Sequence, residues 1–587
     1  MKIQLKTLLM VAVGILQATT LVSTNYFVAL SGNNANNGLT ISTAWRNINY
    51  ALGKGNTAGD SIFIGDGIFE ETSQLSVLKG VNLIGRGKDK TTILVNIFYD
   101  MLKNPQSNTC SSLTNPDKYS YHHRSDMFVM QVPKGDHQVI KGFTLNGQGK
   151  KCHGGIFSDS SKYVVYDDIR IEDFRFSGIW LAKSYKSDIQ NSIVRNNTYG
   201  NSAQCTGNVM FYNANELNIH DNLIEETYSG SYGIKSYGKH WTTYCYWTSW
   251  NENILAVTRK LRIYNNTIKV KAVGDWAGGM APSIAIEFQA TSVDSCEIFN
   301  NTINNTVSLV GNFKTGTFAI TTASVHIYNN FFDLGGEYRY AVEANTPNIE
   351  FDHNYVNGGY YPIAQWDEGR TDLVNQNYHH NVFYAPKGGQ PLFSFYKDPG
   401  IKFDNNTVID VNGITTLFRG KSTFKFKNTS FKNNIFMSTS TTAKAFYDPN
   451  AFESIDASNN LFFNVVPFGN NYLQTNPLLH LLGNKPLPFF APKFGSPVIP
   501  TSIGAYLYDS KYDNTAIKKI EVNSSLKINV SNSKLSIIST INQIVNIYNL
   551  SGMLVFSEQI IAGVKTLTLK QGMYILVSNN DRIKFAI

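Results

Sequence analysis

Three residues suited to proton chemistry recur at one place in a repeated strand pattern. "YGIKSYG" (232–238) carries Lys235, "SIAIEFQ" (283–289) carries Glu287, and "YAVEAN" (340–345) carries Glu343. Each follows an aliphatic residue: Ile234, Ile286 or Val342. Strand alternation sends such neighbours to opposite faces. Further copies are "SGIWLAK" (177–183), "NVMFYNA" (208–214), "FAITTA" (318–323) and "PIAQWDEG" (362–369). With Ile179, Met210, Ile234, Ile286, Ile320 and Val342 aligned inward, the outward column reads Trp180, Phe211, Lys235, Glu287, Thr321 and Glu343. The next copy adds Gln365, Trp366, Asp367 and Glu368, with its register open by one residue. Aromatic faces suit sugar rings, and carboxylates suit acid–base work or a cation. If each copy is one coil of a stack, Glu287 and Glu343 stand two coils, or roughly 10 Å, apart at about 4.8 Å per coil. Their side chains then approach the separation of an inverting glycosidase pair, about 6.5–9.5 Å. Lys235, one coil earlier, is either a lyase base or an ion-pair partner. The plain alternative is that polar residues simply line the outside of a stacked fold.

A long insertion leaves the repeat just after Lys235. "YGKHWTTYCYWTSWNENILAVTRK" (237–260) carries His240, Trp241, Tyr244, Tyr246, Trp247 and Trp250. Aromatic-dense loops on rigid scaffolds often bind ligands; the alternative is a hydrophobic plug pinned by Cys245. With Trp180, Trp366 and Asp367, His240 and Trp241 complete the expected substrate-binding set. An earlier segment, "YSYHHRSD" (119–126), reads as loop decoration, because adjacent residues such as His122 and His123 point opposite ways on an extended chain.

The elements that hold these residues come from a second repeat. "RIYNN" (262–266), "EIFNN" (297–301), "HIYNN" (326–330), "EFDHN" (350–354), "KFDNN" (402–406) and "SFKNN" (430–434) end alike. The last asparagines are Asn266, Asn301, Asn330, Asn354, Asn381, Asn406, Asn434 and Asn460, at steps of 24 to 35 residues. A period in the twenties with insertions indicates a solenoid. The units are short and alternating, with no amphipathic helical period. At a bend, backbone polar groups turn inward and need partners. An asparagine side chain offers both a donor and an acceptor, so stacked copies predict an asparagine ladder. N-glycosylation is the competing reading of "NNT", but "NNF", "NNI" and "HNV" at the same place are not acceptors.

Composition agrees. The chain of 587 residues is 42% hydrophobic and 16% charged, with 32 Tyr and 36 Phe, which favours strands over helices. A net charge of +8 with no dense basic run argues against nucleic acid. Residues 1–24 read as a secretory signal peptide: Lys2 and Lys6 precede a short apolar core and then small residues. No other segment approaches a membrane span. Of the five cysteines, Cys110 with Cys152 and Cys205 with Cys245 are candidate pairs by proximity; an odd count leaves at least one thiol unpaired.

The repeat resembles the right-handed parallel β-helix of pectate lyases and other polysaccharide-active proteins. "YFVALSGNNANNGLTISTAWRNINYALGKGNTAGDSIFIGDGIFEE" (26–71) looks like the strand, turn and capping helix that open such folds. "GVNLIGRGKDKTTILV" (80–95) looks like an early coil, and "GSPVIPTSIGAY" (495–506) like the closing cap. "IVNIYNLSGMLVFSEQ" (544–559) and "LTLKQGMYILVSNNDRIKFAI" (567–587) resemble a type IX secretion C-terminal sorting domain, a small β-sandwich; a small glycan-binding sandwich is the alternative. The expected order is therefore a β-helix over 25–507, a linker over 508–519 and a sorting domain over 520–587. The fold class is all-β.

The resemblance implies a secreted or cell-surface protein, exported through the periplasm, that contacts a polysaccharide and, through its tail, the type IX translocon. A monomer is expected. The calcium-site acids of pectate lyases, the arginine-containing base motif of the alginate lyase and chondroitinase B group, and the paired aspartates of pectin methylesterases are not evident. Calcium therefore stays an open cofactor. Hydrolysis by Glu287 and Glu343, elimination by Lys235, and glycan binding without turnover all stay open.

Overall fold

The computed structural model describes residues 23–586 apart from 97–127, 150–153, 175–176, 198–206, 228–231, 238–256, 272–282, 290–291, 312–323, 336–338, 366–372, 387–391, 396–397, 399, 415, 421–424, 481–489, 510–525, 532–533, 550–553, 571–572 and 579–580. His240, Trp241, Trp366 and Asp367, the segment 119–126, Cys110, Cys152, Cys205 and Cys245 lie outside the described residues.

One coil shows how the chain winds. Arg262–Tyr264 enters the first sheet, Asn265 turns the chain, Thr267–Val270 enters the second, and Ile284–Gln289 enters the third. Cys296–Phe299 then returns to the first sheet beside Arg262–Tyr264, in parallel. Repetition gives all-parallel sheets of 15, 15 and 13 strands, a right-handed parallel β-helix. Parallel neighbours stack equivalent residues directly, so each inward position becomes a column. One column runs Ile219, Ile263, Ile298, Ile327, Phe351, Tyr378, Phe403 and Phe431. All are buried, and each such side chain stabilises the fold by about 1.5–3 kcal/mol. Along this column aliphatics fill the earlier coils and aromatics the later ones.

The asparagines form the predicted ladder. From Asn222 through Asn266, Asn301, Asn330, Asn354, Asn381, Asn406 and Asn434 to Asn460, each Nδ2 donates to the next Oδ1 at 3.0–3.3 Å. The same Oδ1 accepts the backbone N–H of the preceding ladder residue, as Asn330 Oδ1 does from Asn301. The residue before each ladder asparagine has its own task. Asn265, Asn300, Asn329, His353, His380, Asn405, Asn433 and Asn459 all have φ between 52° and 56°. Asparagine tolerates this left-handed backbone better than most side chains. The doublet thus has two jobs: one residue turns the chain and the next satisfies it.

A helix covers the first coil, and a returning segment binds alongside two late coils. The helix Ile48–Lys54 lies near the first coil, where Glu71 Oε1 accepts from Ile48 N at 2.5 Å. Within Ile503–Ala505, Gly504 N donates to Asn433 O at 2.7 Å, and Ala505 N to Thr407 Oγ1 at 2.9 Å. Gly504 has φ 98°, and a Cβ there would lie 2.6 Å from Ile435 Cδ1, so glycine is required.

The chain divides into two compact units, the first comprising 1–477 with 503–505 and the second 478–502 with 506–587. The second contains two antiparallel sheets. Leu526–Ser531, Lys534–Ser539 and Gly563–Thr568 form one; Leu554–Ile560, Gln543–Asn549, Met573–Ser578 and Asp581–Ala586 form the other. Leu535, Ile537, Val545, Ile547 and Leu576 pack between them as the core of a small β-sandwich. Among the described residues no helix is long and apolar enough to cross a membrane.

Candidate functional site

The third sheet aligns the charged residues in one column, as the sequence pattern indicates. Strand pairing stacks Lys235 on Glu287, Glu287 on Ser308, and Ser308 on Glu343. Glu287 and Glu343 are two coils apart, as expected. Two positions differ. Met210, not Phe211, pairs with both Trp180 and Lys235, and Phe211 faces the core. "NVMFY" is apolar on both faces, so alternation alone does not fix its phase. The intervening coil contributes Ser308 rather than Thr321, which lies outside the described residues. Here "TVSLVG" alternates as well as "FAITTA" does.

The expected exposure is also corrected. The column turns away from the hydrophobic core, but it is not an open strip. Trp180 is 2% exposed, Lys235 0% and Glu287 4%. The Trp180 ring lies edge-on to Phe157 at 5.6 Å and near Phe128 at 6.0 Å. Downstream, Ala364 and Ser394 continue the column and are buried; Arg419 follows, partly exposed. Glu343 is partly exposed.

The two carboxylates sit in different environments. Glu287 forms an ion pair with Lys235, whose ammonium also lies 3.7 Å from the Tyr232 ring centre. Burial raises the Glu287 pKa, and the Lys235 charge and hydrogen bond pull it back. Glu343 accepts from Ser308 Oγ at 2.5 Å and from Asn345 Nδ2 at 3.2 Å. Burial pushes its carboxyl up to about 7; these hydrogen bonds lower it and the Glu287 charge raises it further. Burial pushes both carboxyls up, but Lys235 favours the charged form of Glu287, whereas Glu343 meets the neutral donors Ser308 and Asn345. That division suits an acid and a base.

A second cluster, absent from the sequence reading, lies on the outer face of the first sheet. The strand Ile349–Asp352 places Glu350 and Asp352 on one face. His326 pairs with Glu350 from the coil before, and His379 pairs with Asp352 from the coil after. His379 Nε2 meets Glu350 Oε1 at 2.6 Å, His326 Nε2 contacts Asp352 Oδ1, and His353 Nδ1 lies 2.6 Å from Asp352 Oδ2. Burial opposes ionisation of Asp352, but the hydrogen bonds from His326 and His353 hold its carboxyl well below the usual range. Glu350 is likewise lowered, by His379 and Asn377 acting against burial. Burial and the neighbouring His353 and His379 press His380 down to about 4. The ligand atoms of Glu350, Asp352 and His379 lie within 4.8 Å of one another, spacing suited to a metal ion. A groove of about 790 Å³ runs beside them, lined by Lys260, Arg262, Glu297, His326, Glu350 and Lys402. The signal was register: Asp352 and His379 stand two residues before successive ladder asparagines, and His326 and Glu350 four before.

Cys296 is buried and unpaired, and burial pushes its thiol well up.

No protein-family model matches the chain, and no curated protein matches it. Among solved structures it is similar to the catalytic domain of a GH87 alpha-1,3-glucanase in complex with nigerose, at 13% identity and TM-score 0.35, covering 70% of this chain and 66% of that one. It is also similar to pectin methylesterase from carrot, at 15% identity and TM-score 0.31, covering 54% and 86%. A third is pectate lyase Pel9A, at 11% identity and TM-score 0.28, covering 83% and 97%. The chain spans just under two thirds of the length of the glucanase domain. The parallel β-helix itself rests on the strand pairing described above.

Proposed function

We propose that this protein is a secreted, carbohydrate-active β-helix that cleaves a polysaccharide at the Glu287–Glu343 column. The observation that carries the reading is the register that sets Glu343 two coils from the lysine-paired Glu287 in one column; burial, which pushes the Glu343 carboxyl up to about 7, supports it. Glu343 acts as general acid, giving its proton to the leaving glycosidic oxygen. Glu287, its charge favoured by Lys235, acts as general base and takes a proton from the attacking water. Two coils correspond to roughly 10 Å between backbones, which supports inversion over retention, whose carboxyls stand only about 5–5.5 Å apart. Lys235 is the partner of Glu287 here. An ammonium engaged in an ion pair has no lone pair to act as a lyase base. His240, Trp241, Trp366 and Asp367 remain the proposed sugar contacts; Trp180 is buried. The signal peptide at 1–24, monomeric state, and export with delivery to the type IX translocon by the C-terminal sandwich belong to the same reading.

A second reading has its own support. Most of the described column is buried, which fits a glycan-binding or adhesive solenoid whose column is structural. Depolymerisation assays on plant and algal polysaccharides separate the two. Release of reducing ends, lost in Glu343→Gln, supports the hydrolase. Retention on a polysaccharide gel without turnover supports the binding protein.

A further inference from the structure

The histidine–carboxylate cluster on the first sheet lies outside the proposed catalytic column and does not depend on it. Four of the chain's 11 histidines are there: His326, His353, His379 and His380. Chance decoration of a solenoid surface would scatter them. Instead two imidazoles from the flanking coils converge on two carboxylates of the strand between.

We propose that Glu350, Asp352 and His379 bind a divalent first-row transition ion of the zinc class. One imidazole nitrogen and two carboxylate oxygens are a donor set for zinc, manganese or iron(II); calcium prefers six to eight oxygens. The donors already lie within 4.8 Å of one another. Bonds of about 2.0–2.2 Å to zinc require only side-chain adjustment to close around it. The His379 ring is set for this. Its Nδ1 faces His380 Nδ1 at 2.9 Å, so one ring donates and the other accepts. With His379 donating from Nδ1, the Nε2 lone pair is free for an ion once the proton it shares with Glu350 Oε1, at 2.6 Å, has left. Such a hydrogen bond on the far nitrogen commonly orients a metal-bound histidine. Binding displaces the proton that His379 Nε2 shares with Glu350 Oε1 to solvent.

The surroundings point the same way. His326 Nε2 contacts Asp352 Oδ1 and fixes that carboxylate. Asn377 Nδ2 donates to Glu350 Oε2 at 3.1 Å, while the buried Asn377 Oδ1 accepts no hydrogen bond among the described residues. An acceptor lacking a donor beside the cluster suits a water bound to the ion. Three protein ligands leave at least one position for such an outside oxygen. In the groove Lys260 pairs with Glu216 and Arg262 with Glu297, while Lys402 adds a further positive charge that favours an anionic oxygen at that position.

The test uses the full chain without an affinity tag, stripped with chelator and dialysed. Zinc is titrated by calorimetry, and cobalt(II) is followed by its visible absorption. The expected result is one ion per chain, with cobalt bands of a mixed nitrogen–oxygen site. His379→Gln and Asp352→Asn should each weaken binding by at least 100-fold. His326→Gln, which removes only the orienting contact, should weaken it by about 10- to 100-fold. His220→Gln, outside the cluster, should leave it unchanged. If His379→Gln fails to fold, Glu350→Gln decides, because that side chain is 41% exposed. Absence of zinc binding at micromolar metal overturns the proposal. So does binding that Glu350→Gln and His379→Gln leave undiminished, since the ion would then lie elsewhere.

Discussion

Lys235 and Glu287 occupy the same register position on successive coils, and their side chains close an ion pair in which the lysine has no solvent exposure. Removing one half strands the other. Glu287→Gln leaves a buried ammonium without its counter-charge and should destabilise the first unit by about 3–5 kcal/mol. Replacing both residues with apolar ones, Lys235→Met with Glu287→Leu, should recover most of that loss. Urea unfolding of the two singles and the double measures the coupling. A double variant destabilised by the sum of the two singles would contradict the pairing.

Glu343 makes stability depend on pH. Its folded pKa, about 7, lies above the unfolded value of 4.5, so the folded chain binds the proton more tightly. The contribution is fully present below about pH 4.5 and is lost as pH rises through about 7. The span corresponds to at most on the order of 3 kcal/mol. Glu343→Gln should abolish this dependence and unfold later than the parent above pH 7. Thermal unfolding across pH 4 to 8 reads the difference. Parallel curves for parent and variant would place the Glu343 pKa at its ordinary value.

The two asparagines of each doublet should fail differently. Asn330→Ala removes the acceptor of Asn301 N and the donor to Ile298 O, both buried. Each orphaned group costs about 1–3 kcal/mol. Asn329, at φ 54°, holds only the turn. Asn329→Gly should be nearly neutral, while Asn329→Val should cost about 1–3 kcal/mol in backbone strain. Denaturation midpoints of the three variants check the division.

The ladder was legible because parallel stacking forces the same residue into the same bend at every coil. The order Lys235, Glu287, Glu343 was legible for the same reason. Its burial was not. Which face of a strand meets solvent depends on what packs over it, and alternation says nothing of that. Phe211 was assigned to the wrong face because Met210 and Phe211 are both apolar. The metal-type cluster was not legible because His379 lies 27 residues after Asp352 and His326 24 residues before Glu350. Only register converts their spacing into proximity.

Polysaccharide cleavage implies an alkaline limit set by Glu343. A general acid near 7 must be protonated to act, so kcat/KM should fall as pH rises above about 7. The rate–pH profile of the parent on any substrate it turns over tests this. A profile flat from pH 5 to 9 would remove Glu343 from the acid role.

The most direct measurement is turnover by the full chain on a panel of plant and algal polysaccharides. Reducing ends and the absorbance of unsaturated uronates would be followed together, with calcium and with chelator. The account predicts reducing ends without unsaturated product, reduced at least 1000-fold in both Glu343→Gln and Glu287→Gln while both variants stay folded. Unsaturated product, or turnover untouched by either substitution, would contradict it.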